Sequence, residues 1–244
     1  MRDIFLSVIV PAYNEEGRIR KTLKRFHEYL SKQPFSYEIL VVNDGSNDRT
    51  AEIVEYVRSE ITNLETIDRK QNRGKGFSVK EGMLRAQGKI RLFTDEDNAT
   101  DISHFDKMRP LFDSGYDVVM CSRDSKDAKG ARQTVSQSWH KRILGNLGNL
   151  YIQWLIVPGI WDTQCGFKAF RDRAVDKIFS LSQIDGWMFD VEILALAKKL
   201  NLKIGIIPAD WKNDPKTHVK FSSYLKSLWE VLKIYKRLKI KNEK

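Results

Sequence analysis

Three stretches of this chain run an apolar, strand-like segment straight into acidic and turn residues. Phe5–Val10 meets Pro11-Ala12-Tyr13-Asn14-Glu15-Glu16, Tyr37–Val42 meets Asn43-Asp44-Gly45-Ser46, and Ile90–Phe93 meets Thr94-Asp95-Glu96-Asp97. In an open α/β sheet the carboxyl ends of parallel strands border one crevice, and ligands bind there. Acids at three such ends therefore converge on one site. They repel an anionic ligand unless a divalent cation stands between, and paired carboxylates suit Mg²⁺ or Mn²⁺. The pattern implies a metal-assisted enzyme for a phosphorylated substrate.

Strands alternate with helical periodicity through the first 120 residues, which predicts a mostly parallel sheet covered on both faces. Ile19, Leu23, Phe26 and Leu30 recur at helical spacing after the first strand. Ser46 or Asn47 is placed to cap a helix carrying Ile53, Val54 and Val57. A short strand at Glu65–Ile67 precedes the Gly74-Lys75-Gly76 turn and a helix through Gln87. Further strands are expected at Lys89–Thr94, Val118–Ser122 and Lys203–Ile207, with helices between Ser103 and Ser114 and from Asp190 to Leu200. Residues 124–135 are polar and read as a mobile loop; residues 136–158 mix Trp139, Trp154 and several Leu and Ile with Lys141 and Arg142. The last segment sets Tyr224, Leu225, Leu228, Leu232, Tyr235 and Leu238 at helical spacing among lysines.

Five motifs follow one another in order: Val8–Glu16, Val42–Ser46, Asn72–Gly76, Asp95–Asp97 and Asp162–Lys168. In that order they resemble family 2 glycosyltransferases of the GT-A fold, most of all the branch that loads glucose or mannose onto a dolichyl or polyprenyl phosphate. The likeness spans roughly residues 5 to 220. It implies a Rossmann-like, mostly parallel central sheet and an inverting transfer of a hexose from a nucleotide sugar, UDP-glucose or else GDP-mannose, to a polyprenyl phosphate.

An isolated D-x-D sequence reads equally as an acidic surface turn. In an extended segment, however, side chains at i and i+2 point the same way, so Asp95 and Asp97 can share a cation. The resemblance assigns that pair the metal and the donor phosphates, with Glu96 and Asn98 where small residues are more usual. Pro11, Ala12, Tyr13, Glu15, Asp44 and Gly45 read on chemistry alone as strand ends, turns and caps. The resemblance makes them the nucleoside site, with Tyr13 offering a flat ring to the base.

Lys75 opens a helix, where backbone N–H groups favour anions. No Lys-Ser/Thr pair follows a G-x-x-x-x-G spacing, so the turn is not a P-loop. Lys75 and Arg123 are candidates for nucleotide phosphates; Arg123 reads equally as an ion-pair partner. The resemblance places Asp162, with Asp97, among the catalytic residues, and Gln164 beside the acceptor. Asp162 is either the aligner of an already anionic phosphate or, for a hydroxyl acceptor in a glycan-extending enzyme, the general base. Asp190 and Glu192, in the run Trp187–Glu192, are further acceptor-side candidates or simply helix-start carboxylates. Lys220 belongs to a basic segment where the family closes a lid, although Lys216-Thr217-His218 replaces its usual Gly-Ser-Lys.

The 41% hydrophobic content of the 244 residues supports a substantial core, and no linker divides the chain. The expected organisation is a catalytic domain over 1–222 and a basic amphipathic helix over 223–244. Cys121 and Cys165 have no metal-site spacing, and none of the four histidines has a partner at ligand spacing. No signal pattern precedes the first strand, and the richest apolar window, Leu147–Trp161, is broken by Gly148, Asn149, Gln153, Pro158 and Gly159. A spanning helix needs about 20 mostly apolar residues. The net charge is +10, and the segment Lys216–Lys244 carries nine Lys and Arg against Glu230 and Glu243. With no nucleic-acid signature present, that excess points to an anionic membrane surface. The expected location is cytoplasmic, peripheral on the cytoplasmic face of a membrane, with no nucleic-acid partner.

Overall fold

The computed structural model describes residues 3–133, 148–212 and 221–240. Strand β1 (Leu6–Ala12) is buried along its whole length, as a continuous apolar run covered on both faces requires. Around it lie β2 (Tyr37–Asn43), β3 (Leu64–Asp68), β4 (Ile90–Thr94) and β5 (Val118–Ser122). The pair β6 (Arg132–Gln133) and β9 (Asp210–Trp211) forms a small second sheet, while β7 (Phe167–Arg171) and β8 (Ile204–Pro208) complete the main one. The main sheet has the order β3-β2-β1-β4-β7-β5-β8. Every pairing in it is parallel except those of β7, which runs antiparallel to both β4 and β5.

Two layers of helix cover the sheet. One holds α1 (Ile19–Leu30), α2 (Thr50–Glu60) and α4 (Phe105–Asp113), the last entered through a 3₁₀ turn at Ile102–His104. The other holds α3 (Lys75–Arg85), the helical residues 148–155 (α5), α6 (Asp172–Phe179), α7 (Phe189–Lys199) and α8 (Phe221–Ile240). The expected α/β class and mostly parallel sheet are therefore present. So are the predicted early strands, with boundaries shifted by a residue or two.

The chain order places β2 and β3 on one side of β1 and β4 on the other. Crossovers thus diverge between β1 and β4, and the crevice at that point is the ligand position in open α/β sheets. Pro11–Glu15 leaves β1 there and Asp95–Asp97 leaves β4 there.

Strand β7 was not expected, because Phe-Lys-Ala-Phe-Arg reads as a half-polar segment. Its lysine is fully buried: Lys168 Nζ lies 2.5 Å from Asp190 Oδ1 and donates to the Cys165 carbonyl at 2.7 Å. The direction of β7 matters for the site. Phe167 sits opposite Thr94 in register, so residues 162–166, which precede β7, enter the crevice at the carboxyl end of β4.

Two local expectations are corrected. Neither Ser46 nor Asn47 caps α2; Asp48 Oδ1 accepts from the Thr50 N–H at 2.9 Å, and Ser46 Oγ instead accepts from the Asn14 N–H at 2.9 Å. Of the polar loop expected over 124–135, the described residues 124–133 are tied down at Asp127 rather than loose. Asp127 accepts from Ser122 Oγ and from the N–H groups of Trp161 and Asp162 at 2.7–2.8 Å.

The C-terminal helix begins at Phe221 and packs on the domain, with Val231 and Ile234 in the core. Of its Leu/Tyr stripe, Leu238 packs against that core, while Leu228 is 45% exposed. Among the described residues no helix is long and apolar enough to cross a membrane.

The Lys168–Asp190 pair supplies a stability test. Removing one partner of a buried pair leaves an uncompensated charge and costs about 3–5 kcal/mol, whereas replacing both by apolar groups is often neutral. Lys168→Met should therefore lower the urea-unfolding free energy by about that amount, and Lys168→Met/Asp190→Leu should recover most of it. Equal losses in the single and double variants would show that the pair is not coupled.

Candidate active site

The loops after β1 and β2 are joined before any ligand is considered. Asn14, at φ 58°, accepts from the Asn47 N–H through its side chain at 2.8 Å, and the Glu15 N–H donates to Thr50 Oγ1 at 2.7 Å. Asparagine tolerates this left-handed backbone better than most residues. Tyr13 beside it is left 43% exposed, with its ring free to receive a planar group. Pro11 and Ala12, which precede it, are buried residues at the end of β1.

Asp44 is almost fully buried and faces the turn before α3. Its carboxylate accepts from the N–H groups of Arg73 at 2.9 Å and Gly74 at 2.8 Å, with Arg69 Nη1 3.3 Å away. Its visible work is to hold the turn that presents Lys75. Gly45, at φ 70°, has room only for hydrogen: a Cβ there would lie 2.6 Å from the Gln71 carbonyl carbon.

Lys75 reaches across to β4, its Nζ 2.5 Å from Asp95 Oδ1. Burial works against its charge, but Asp95, Glu96 and Asp190 outweigh that and hold the ammonium above its ordinary range. On the other side Asp95 lies against Gly166, where a Cβ would come within 2.1 Å of Asp95 Oδ2. The glycine of the Asp162–Lys168 motif thus lets the β4 acids and the β7 entry segment touch.

Glu96 and Asp97 carry the electrostatic signature of the site. Desolvation, with Asp95 and Glu15 nearby, pushes the Glu96 carboxyl up to about 8 even against Lys75. Burial and then Asp95 raise Asp97 as well. Arg18 links the first and fourth strand ends, pairing with Glu15 and lying 2.9 Å from Glu96.

Asp162 is 8% exposed and locked to Arg123. Its Oδ2 accepts from the Arg123 N–H and Nε, and its Oδ1 from Nη2, all at 2.8 Å. Burial alone would raise the Asp162 carboxyl, but Arg123 overrides it and holds the group below the usual carboxylate range. Gln164 Nε2 points toward Met188 Sδ at 3.7 Å.

The structure therefore brings together Tyr13, Glu15, Lys75, Asp95, Glu96, Asp97, Arg123, Asp162 and Gln164. Asp190 lies beneath them, paired with Lys168. Glu192 does not face the crevice: its buried carboxylate accepts from the N–H groups of Gln183 and Ile184 and pairs with Arg237. Lys220, the remainder of 213–220, and Trp139–Leu147 lie outside the described residues. Arg18, Asp127 and Lys168 were missed because isolated charges in polar or alternating stretches give no local signal. Cys121 and Cys165 are buried free thiols, and His104 hydrogen-bonds to backbone at Asp101 and Asp210.

Glu96 and Asp97 lie in a turn rather than in the extended segment expected, yet Asp95 stands close enough to raise Asp97, and a cation suits that carboxylate pair. Among the described residues no group of three or more His, Cys, Asp or Glu forms a closed metal cage. A hydrated Mg²⁺-type ion needs none, since it binds through one or two carboxylates plus substrate phosphate oxygens.

Known proteins resemble this chain in sequence and in fold. The sequence matches the profile described as Glycosyl transferase family 2 over residues 7–179. It is 36% identical to a dolichyl-phosphate beta-glucosyltransferase of Dictyostelium discoideum over 249 aligned residues, covering 95% of this chain and 74% of that protein. It is 35% identical to the Saccharomyces cerevisiae protein of the same description, covering 86% and 67%. Among solved structures, glucosyl-3-phosphoglycerate synthase of Mycobacterium tuberculosis superposes with a TM-score of 0.68 at 16% identity, over 96% of this chain and 80% of that one.

The raised Glu96 carboxyl gives a pH prediction for the metal-free protein. Between its ordinary value of 4.5 and about 8 the folded state holds a proton that the unfolded state has released, so this group makes stability fall as pH rises through that window. Glu96→Gln removes the dependence. In urea titrations from pH 5 to 9 the variant should gain on wild type by a few kcal/mol, at about 1.4 kcal/mol per pH unit at most. A constant difference across that range would contradict the assignment.

Proposed function

This chain belongs to glycosyl transferase family 2 and is a glycosyltransferase of the GT-A fold; from that premise we propose that it transfers glucose from UDP-glucose to dolichyl phosphate, or a similar polyprenyl phosphate, in one inverting displacement. The observation that carries the reading is the Arg123–Asp162 pair. A carboxylate held down by a bidentate guanidinium is a weak base. A phosphate monoester has its second pKa at about 6, so at neutral pH it is already an anionic nucleophile and no base is needed. A sugar-hydroxyl acceptor would demand one.

In the proposed reaction an acceptor phosphate oxygen attacks the anomeric carbon from the face opposite the diphosphate. The new C–O bond forms as the bond to the β-phosphate oxygen breaks, and UDP leaves with the electron pair. Tyr13 offers its ring to uracil, and Glu15 and Asp44 border the nucleoside. Lys75, from a helix start, faces the developing diphosphate charge, where a preorganised cation acts most strongly. Arg123 orients Asp162, and Asp162 with Gln164 aligns the acceptor. A divalent cation, Mg²⁺ or Mn²⁺, would be held by Asp95 and Asp97 and would offset charge on the leaving group when bound. The mycobacterial synthase crystallised with Mn²⁺ and UDP supports that choice.

The outer face of α8 supports work at a membrane surface. Trp229 is 57% exposed beside exposed Lys226, Lys233 and Lys236, and Trp154 on α5 is 83% exposed. Each basic residue near an anionic surface contributes about 1 kcal/mol, falling with salt.

Transfer assays test the reaction. Label should pass from UDP-glucose to a short polyprenyl phosphate and not to the dephosphorylated alcohol or to a glycan. EDTA or Asp97→Ala should lower the rate by at least about 10²-fold without unfolding the protein. Transfer to a glycan hydroxyl would replace this acceptor assignment, preferential thermal stabilisation by GDP would replace the donor, and unchanged turnover in EDTA would remove the metal.

Flotation tests the surface. Wild type should float with anionic vesicles at low salt, and Trp229→Ser/Lys233→Glu/Lys236→Glu should not. Truncation at residue 223 is the poorer test, because it strips Val231 and Ile234 from the core. Equal flotation of wild type and the triple variant would reject α8 as the docking face.

A further inference from the structure

The segment from Ile184 to Met188 touches both halves of the site. On the donor side, the Asp185 carbonyl accepts from the Phe77 N–H at 3.3 Å, and the Ile184 and Asp185 carbonyls press against Gly76 and Gly74, each 2.4 Å from where a Cβ would stand. Lys75 Nζ lies over the Trp187 ring, 5.6 Å from its centroid, while its other contact is Asp95. On the acceptor side, Met188 Sδ receives Gln164 Nε2. Trp187 itself is 52% exposed, so packing alone does not fix it.

Two carboxylates from outside the crevice hold this segment. Glu192, from α7, takes the N–H groups of Gln183 and Ile184. Glu230, from α8, accepts from the Met188 N–H at 3.1 Å and lies against Gly186, where a Cβ would sit 2.2 Å from Glu230 Oε1. Glu230 is 8% exposed, an uncommon burial for a glutamate on an otherwise basic, solvent-facing helix. The neighbouring Val231 and Ile234 would dock α8 equally well without it.

We propose that Glu230 is a positioning residue for the transfer reaction: from the C-terminal helix it sets the Gly186–Met188 backbone so that Trp187 caps Lys75 and Met188 meets Gln164. This rests on the reading of Lys75 and Asp95 as the donor-phosphate site and of Gln164 as the acceptor side. The basic tail is then part of the catalytic unit, whatever it does at a membrane. The link acts through backbone placement, so it needs a hydrogen-bond acceptor of the right length at position 230 and not a negative charge.

The experiment compares full-length wild type with Glu230→Gln, Glu230→Leu and Gly186→Ala. It reads UDP–Mn²⁺ affinity, steady-state transfer to a short polyprenyl phosphate, and the Trp187 emission change on UDP–Mn²⁺ addition, assigned by its loss in Trp187→Phe. A displacement of about 1 Å in a reacting group can cost about 10²-fold. Glu230→Leu should lose about 10- to 100-fold in kcat/KM and lose the Trp187 response, whereas Glu230→Gln, which still accepts from Met188, should stay within about threefold. Should Glu230→Leu fail to fold, Gly186→Ala carries the test, because its added methyl would meet the Glu230 carboxylate and drive it off the Met188 N–H, with the apolar contacts of α8 intact. Wild-type kinetics in Glu230→Leu or in Gly186→Ala overturns the proposal, and so does a Gln variant as damaged as the Leu variant. A wild-type protein that neither binds UDP nor transfers overturns the functional reading beneath it; unimpaired variants beside an active wild type overturn this proposal alone.

Discussion

Negative charge collected where the strands diverge is the constraint to which the neighbouring structure answers. Glu15, Asp95, Glu96 and Asp97 arrive at one place because parallel strands end there, and half-burial raises the cost of keeping them ionised. The fold answers with cations built into the walls. Lys75 meets Asp95, Arg18 bridges Glu15 and Glu96, and Arg123 clamps Asp162. Even so, Glu96 and Asp97 stay raised. On the proposed reading, a divalent cation together with a diphosphate would match that residual imbalance, where either alone would not.

The reversed strand β7 turns that charged crevice into a two-sided site. Had β7 run parallel to β4, the residues before it would emerge at the opposite edge of the sheet. Its antiparallel register puts Gly166 against Asp95 and brings Asp162 to Arg123 at the end of β5. The reversal also buries Lys168, whose ammonium finds a carboxylate at the start of α7 and a carbonyl in its own motif. A lysine in that position adds little to stability against an apolar replacement of the pair. It ties the Asp162–Lys168 motif to α7 in a fixed register, which a greasy contact would do less specifically.

Much of this was legible in the sequence because the relevant signals are local. Mostly apolar runs marked β1, β2, β4 and β5, and acids at the ends of the first three marked the crevice. The order of five motifs then carried the family. What escaped was set by distant partners. Lys168 reads as a surface residue until Asp190, 22 positions on, is placed beside it. Asp127 is one more acid in a polar loop until the Trp161 and Asp162 N–H groups reach it. Glu192 looked like a site acid because of the company it keeps in sequence, yet one residue step along a helix turns a side chain by about 100°. Two steps from Asp190 therefore carry it to the opposite side, toward Arg237. The inward face of α8 was left open for a related reason: its apolar residues cover more than half the helix, and periodicity alone does not say which part meets the core.

That breadth is itself informative about α8. A helix that only packed on the domain would need one apolar stripe, and a helix that only lay on a membrane would leave its domain side polar. Here Val231 and Ile234 face inward while Trp229 and Leu228 face out among lysines. The inward face carries Glu230 and Arg237, both bonded to carriers of the active-site segment, through Met188 and Glu192 respectively. In the proposed reaction a polyprenyl phosphate would keep its chain in the bilayer and offer only its head group, so the crevice would have to be held at a set height above the lipid. On the reading proposed above, a single helix about 30 Å long for 20 residues, with Trp229 and lysines exposed on one side and Glu230 bonded to Met188 on the other, would fix that height without a hinge between them.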